Sequence, residues 1–156
     1  MTTILVLCGL PGTGKSTYVQ SYLKQFPETV VCSIDDYIEQ YAKDRNSTYD
    51  DVFFEAIKMA TEHMWKKFAE AIANDQRIIM DQTNLSSKKR RQILDKMPSH
   101  YKKMAVYFEV PDQAEWEERL ANRPGKNIPK HIMDSMIQNM QKPHLSEGFN
   151  AVLTPN

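Results

Sequence analysis

The chain has 156 residues, with 20 Lys or Arg against 20 Asp or Glu, and so no formal net charge. That length suits one domain with a core of its own, and the balance excludes a large uniformly basic face, so a nucleic-acid partner must use a local patch. Two cysteines, Cys8 and Cys32, both in apolar runs and neither in a CxxC, exclude a disulfide scaffold and read as buried thiols of a cytoplasmic protein.

The N-terminus has no basic segment, and the apolar run Ile4–Leu10 is too short for a signal or a membrane span. The chain is therefore expected in the cytoplasm, without a membrane partner. No repeat or Pro/Gly/Ser-rich linker divides it. Ile4–Cys8 reads as a buried strand, followed by a glycine loop and a helix over about Lys15–Phe26. Val30-Val31-Cys32 begins a second strand expected to end near Asp35. A long amphipathic helix follows a cap at Ser47 or Thr48, and its core stripe is Phe53, Ile57, Ala60, Met64, Phe68, Ala71 and Ile72. Arg77–Asp81 is a third strand, and Ser86 can cap the next helix. Met104–Val110 is a fourth strand. Asp112 with Glu115 starts a helix through Leu120 in the manner of a capping box. Asn122–Ile128 is a polar loop, Pro129 opens a helix to about Gln141, and Ala151–Leu153 closes the series as a strand. Strands alternating with helices at this spacing predict an α/β fold: a parallel sheet of four to five strands with helices on both faces, a three-layer sandwich. Ligands of such sheets bind beyond the carboxyl ends of the strands.

Gly9-Leu10-Pro11-Gly12-Thr13-Gly14-Lys15-Ser16 matches GxxxxGK[ST] between a strand and a helix. Phosphates need inward backbone N–H groups, and glycines let the chain bend around them. The helix start adds a favourable dipole. Nucleotide-binding residues are thus expected at Gly9, Pro11, Gly12, Thr13, Gly14, Lys15, Ser16 and Thr17. Lys15 would bridge the β- and γ-phosphates of a nucleoside triphosphate, and Ser16 would ligate Mg²⁺. Asp35, in Ser33-Ile34-Asp35-Asp36-Tyr37, can accept the proton of a hydroxyl nucleophile, or else cap the following helix. Asp81-Gln82-Thr83-Asn84 ends the third strand, where Asp81 can face magnesium-bound water or the acceptor, or simply close a turn. Arg119, Arg123 and Lys126 bracket a loop that can act as a lid over the triphosphate, or form a solvated charge run. Lys88-Lys89-Arg90-Arg91 is the densest basic run, beyond the QTN turn where an acceptor would approach.

These blocks together (GLPGTGKST, SIDDY, MDQTNLSSKKRR, VPDQAEWEERLANRPGKNIP, HIMDSMIQNM) resemble the kinase domain of polynucleotide 5′-hydroxyl kinases, P-loop kinases with AAA-like domains. Their spacing is similar to that of the phage enzyme's kinase half. The tail Lys142–Phe149 is similar to the end of the animal kinase domains. The resemblance implies a small adenylate-kinase-like domain with a helical lid over residues 1–156, without the phosphatase half of many relatives. It also implies ATP and Mg²⁺ as donor and cofactor. It assigns Lys15, Asp35 as general base and Arg123 of the lid as catalytic residues, with Arg119 and Arg123 on the nucleotide. Asp35, Asp81, Thr83, Asn84, Arg90 and Arg91 are then expected on the acceptor side. The acceptor would be a 5′-hydroxyl of DNA or RNA. Where the phage pattern follows DDY with a phosphate-binding arginine, this chain has Ile38. That departure leaves room for a different hydroxyl, on a nucleoside, a small metabolite or a modified base.

Overall fold

The computed structural model describes residues 2–155; Met1 and Asn156, the ends of the expected 1–156 domain, lie outside the described residues. Five strands form one parallel sheet: β1 Thr3–Cys8, β2 Val30–Cys32, β3 Ile78–Met80, β4 Lys102–Tyr107 and β5 Ala151–Leu153, in the order β2-β3-β1-β4-β5. The helices are α1 Lys15–Gln25, α2 Ile34–Asp44, α3 Tyr49–Ala73, α4 Ser87–Leu94, α5 Gln113–Ala121 and α6 Lys130–Asn139. The central strand β1 is buried along its whole length, because helices cover both faces.

The two-residue period of a strand divides the core. Ile4, Val6 and Cys8 of β1 join Ile78 and Met80 on one face, against Met64, Phe68 and Ala71 of α3 and Ile93 and Leu94 of α4. Leu5 and Leu7 face the other way with Ile79 and Val106, against Val19 of α1. A third cluster joins α2 to the first half of α3 through Ile38, Ala42, Val52, Ala56 and Ala60. A fourth seats α5 and α6 on the P-loop side through Leu10, Trp116 and Met133. Among the described residues no helix is long and apolar enough to cross a membrane.

Several boundaries differ from expectation for identifiable reasons. The second strand stops at Cys32 rather than near Asp35, because the Ser33 side chain accepts a hydrogen bond from the Asp36 N–H at 3.1 Å and starts α2. Asp35 and Asp36 occupy the first helical turn, where the helix dipole favours acids. Of the two candidate caps of α3, Thr48 is the one used. The buried stripe of α3 is Val52, Ala56, Ala60, Met64, Phe68 and Ala71, while Phe53, Ile57 and Ile72 are half-buried. The stripe shifts by one residue at its start because α2 packs against that flank. Strand β4 ends at Tyr107 instead of Val110, in register with the end of β1 at Cys8, and the Phe108 N–H closes onto the Cys8 carbonyl at 2.9 Å. Ser86 and Asp112 cap α4 and α5 as expected.

Candidate functional site

Beyond the carboxyl ends of β1, β2 and β3 lies an open cleft of about 1860 Å³, lined by Pro11 to Thr17 of the P-loop and by Asp35, Asp81, Thr83, Arg119 and Arg123. Its floor is the start of α1. Where Ser33, Thr48, Ser86 and Asp112 cap α2 to α5 with their side chains, α1 begins at Gly14 with no side-chain cap and no acid in its first turn. Its first N–H groups are left for an anion.

The P-loop is braced from outside. The Trp116 indole N–H of α5 donates to the Pro11 carbonyl at 2.8 Å, and Arg119, paired with Glu115 at 2.7 Å, reaches the Gly12 carbonyl at 3.4 Å. The Thr13 hydroxyl donates to the Leu10 carbonyl at 2.7 Å. Gly9 does not line the cleft. Its N–H bonds the Thr83 carbonyl at 3.0 Å, and a Cβ there would lie 2.9 Å from Phe108 Cβ, so this glycine serves the close approach of β1 and β4 ends.

Lys15 Nζ donates to the Gly9 carbonyl at 2.9 Å. Burial pulls its ammonium below the usual lysine range, while Asp81 and Asp35 push it back up and Arg123 pulls it further down. Burial also pushes the Asp81 carboxyl up to about 6, against the opposing pull of Lys15. One electrostatic field therefore joins the P-loop lysine, two carboxylates and Arg123. Two polar atoms of cleft-lining residues, Arg123 Nη1 and Gln82 Nε2, are buried without a hydrogen-bond partner. Such donors are costly to leave unmade, and a ligand that supplies acceptors relieves both.

Asp35 lines the same cleft as the P-loop. The Tyr49 hydroxyl donates to its Oδ1 at 2.6 Å, and Lys126 Nζ lies 3.8 Å from its Oδ2. Lys126 is on the 122–129 loop between α5 and α6 and is bound to Glu39 at 2.6 Å. Burial and the neighbouring Glu39 and Asp35 push Asp36 above the ordinary aspartate range. A nucleotide held by the loop and α1 would thus meet a hydroxyl held at Asp35 within one cleft.

Three expected acceptor residues lie elsewhere. Arg90 is fully buried, its guanidinium gripped by Glu147 at 2.7 and 3.0 Å and bonded to the Asn84 carbonyl at 2.8 Å. This corrects the expected acceptor role: with its charge neutralised and no surface left, the side chain is part of the core. Asn84 is buried as well. Its amide donates to the Leu7 and Met80 carbonyls at 2.7 and 3.4 Å, tying the ends of β1 and β3 together. Arg91 is exposed, 3.7 Å from Asp95, and does not line the cleft. Residues that sequence reasoning missed are Tyr49, Lys126 as a partner of Asp35, and Gln82. The first two meet Asp35 only through distant parts of the chain, while Gln82 lies within the QTN turn and was open to reading.

Over residues 4–143 the chain matches the family described as an AAA domain. It is 23% identical over 145 residues to the L-seryl-tRNA(Sec) kinase of Methanococcus maripaludis, an alignment covering 90% of this chain and 53% of that protein. The chain thus spans about half the length of this curated relative. A fungal RNA kinase superposes with a TM-score of 0.59 at 18% identity, over 99% of this chain and 74% of its own. A shikimate kinase of Acinetobacter baumannii superposes with a TM-score of 0.60 at 13% identity, over 100% and 85%. By its family match and its five-stranded parallel sheet, the chain belongs to the AAA-domain family and has the P-loop kinase fold.

Proposed function

We propose that the protein transfers the γ-phosphoryl group of ATP to a hydroxyl. The observation that carries this reading is one cleft lined by Asp35, Lys15 and Arg123, the last with a buried, unpartnered Nη1. In the proposed step the acceptor oxygen bonds to the γ-phosphorus, its proton passes to the Asp35 carboxylate, and the bond to the β-phosphate oxygen breaks to release ADP. Lys15 and Arg123 offset charge on the moving group. Among the described residues no cluster of three His, Cys, Asp or Glu could hold a metal by itself. Mg²⁺ commonly takes one or two protein oxygens beside substrate phosphates and water, and Ser16 and Asp81, both on the cleft, fit that need. Bound there, it would neutralise phosphate charge.

For the acceptor, the ordered motifs support a 5′-hydroxyl of DNA or RNA, and the fungal relative is an RNA kinase. A compact hydroxyl acceptor such as a nucleoside or small metabolite has a specific observation in its favour. Ile38 is fully buried, and Arg90 is consumed by Glu147, so neither supplies a cation for a strand phosphate. Radiolabelled ATP with 5′-hydroxyl oligonucleotides, nucleosides and small alcohols tests both. Transfer to any of them that Asp35→Asn reduces roughly 10²–10⁴-fold supports the kinase reading. ATP binding without transfer to any acceptor would refute it.

A further inference from the structure

Tyr49 has no part in the reaction as written, yet it touches the proposed base. Its hydroxyl holds Asp35 Oδ1 at 2.6 Å, so an incoming hydroxyl proton goes to Oδ2, which has Lys126 Nζ 3.8 Å away. Burial, and then the Asp35 bond, push the Tyr49 phenol well above the ordinary tyrosine range, so it stays a donor. Tyr49 is also the first residue of α3, and the 122–129 loop docks on that turn. The Asp50 N–H donates to the Gly125 carbonyl at 2.9 Å, and Asp50 Oδ2 accepts from the Asn127 N–H at 2.7 Å. Gly125, at φ +73, lies so close that a Cβ would come within 2.8 Å of Thr48 Cβ. Lys126 Nζ sits 4.6 Å from the centre of the Tyr49 ring while bound to Glu39 of α2. One helical turn therefore meets the loop on one side and the carboxylate on the other. The same loop carries Arg123, a cleft-lining residue whose Nη1 is buried without a partner.

We infer that Tyr49 is the positioning residue of the Asp35 carboxylate, and that the docked 122–129 loop sets Tyr49 through Asp50. The inference rests on the proposed role of Asp35 as base. It links two events that the reaction needs together: arginine delivered to the phosphates and a carboxylate aimed at the acceptor. A base within 10–20° of its working geometry requires such a supporting bond.

The test is a double-mutant cycle on the full chain, with Tyr49→Phe, Asp50→Ala and the pair. Turnover is followed with 5′-hydroxyl oligothymidylate, thymidine and water as acceptors, alongside the KM for ATP and the melting temperature. Tyr49→Phe keeps the ring under Lys126 and removes one hydrogen bond to a charged group, so kcat falls about tenfold with the ATP KM unchanged. The paired variant is no slower than the slower single variant, because both act through one bond. Asp50→Asn, which keeps an oxygen for the Asn127 N–H, restores most of the rate. Should Asp50→Ala fail to fold, Gly125→Ala replaces it in the cycle. Wild-type kcat in Tyr49→Phe, or a loss seen only in the ATP KM, overturns the positioning role. Losses that multiply in the pair overturn the link through the loop. Asp35→Asn separates the two levels: if it too keeps wild-type turnover, the base assignment itself fails, whereas an inactive Asp35→Asn beside a normal Tyr49→Phe sinks only the inference.

Discussion

The Arg90 guanidinium and the Glu147 carboxylate meet at two points, Nε to Oε1 at 2.7 Å and Nη2 to Oε2 at 3.0 Å, and so fasten α4 to the turn before β5. The arginine side chain is fully buried, while the glutamate side chain keeps 15% of its surface exposed. Burial raises Glu147, but the bonds from Arg90 and the His144 N–H outweigh it and hold the carboxyl below its ordinary value.

Arg90→Ala removes one partner of a buried pair and is expected to cost about 3–5 kcal/mol. A group whose folded value is depressed contributes stability above its unfolded value of 4.5, and that contribution is lost as pH falls through the folded value. The gap between wild type and variant should therefore be full at neutral pH and shrink in acid. Denaturant unfolding at both pH values measures it. A variant of full stability that binds acceptor poorly would return Arg90 to the acceptor side.

Lys15→Ala is expected to leave the fold intact and to reduce phosphotransfer by at least about 10²–10³-fold, the usual effect of losing a charge aimed at the transition state. The lysine donates only to the Gly9 carbonyl of its own loop, and its ammonium is destabilised by burial, so packing loses little. Melting temperature and single-turnover rate on the same sample decide it. Wild-type turnover would remove the phosphate-binding role of the loop.

Asp81→Asn separates stability from function at one residue. Burial raises the Asp81 carboxyl to about 6 from 3.8. The folded protein then holds a proton that the unfolded chain releases, so the group's effect on stability turns unfavourable as pH climbs through that window. At neutral pH the asparagine variant should melt no lower than wild type, and higher if the amide finds a partner. Its activity should fall, because an amide is a poorer ligand for Mg²⁺ than a carboxylate. A variant that melts lower at neutral pH while keeping full activity contradicts this account of the site.

The P-loop, the alternation of strands and helices around it and the caps at Ser86 and Asp112 are legible because each is a local pattern: an apolar run, a glycine loop, a cap followed by a helical period. The chemistry of Asp35 is legible but its place is not, since SIDDY reads as strand until Ser33 is recognised as the cap. Arg90 reads as an acceptor residue in the sequence because the residue that neutralises it is Glu147, 57 positions away. The Asp50 bond to Asn127 spans 77 positions and Tyr49 to Asp35 spans 14. No period or motif encodes such contacts, which arise only when the loop folds back on the start of α3.

The remaining basic run now offers the sharper test of the acceptor. With Arg90 in the core, the exposed cations of α4 are Lys88, Lys89 and Arg91. A polynucleotide acceptor carries phosphates behind its reacting end, and each one neutralised by the protein releases counterions. Its KM, measured at saturating ATP, should then worsen with salt at a logarithmic slope of about −0.7 per single-strand phosphate contacted. Replacing Lys88, Lys89 and Arg91 by alanine should flatten that slope by about one or two units if α4 holds the strand. A nucleoside or other uncharged hydroxyl has no phosphates to lose, so its KM should ignore both salt and the triple variant. Ile38→Arg adds a second arm. Ile38 is fully buried between α2 and α3, so an arginine there carries a charge into an apolar cluster and should lower the melting temperature without tightening any oligonucleotide. If Ile38→Arg instead tightens oligonucleotide binding at unchanged stability, the side chain reaches the cleft and the strand follows the path of the phage enzymes. If the slope is flat from the outset, the compact hydroxyl acceptor is the one the cleft serves.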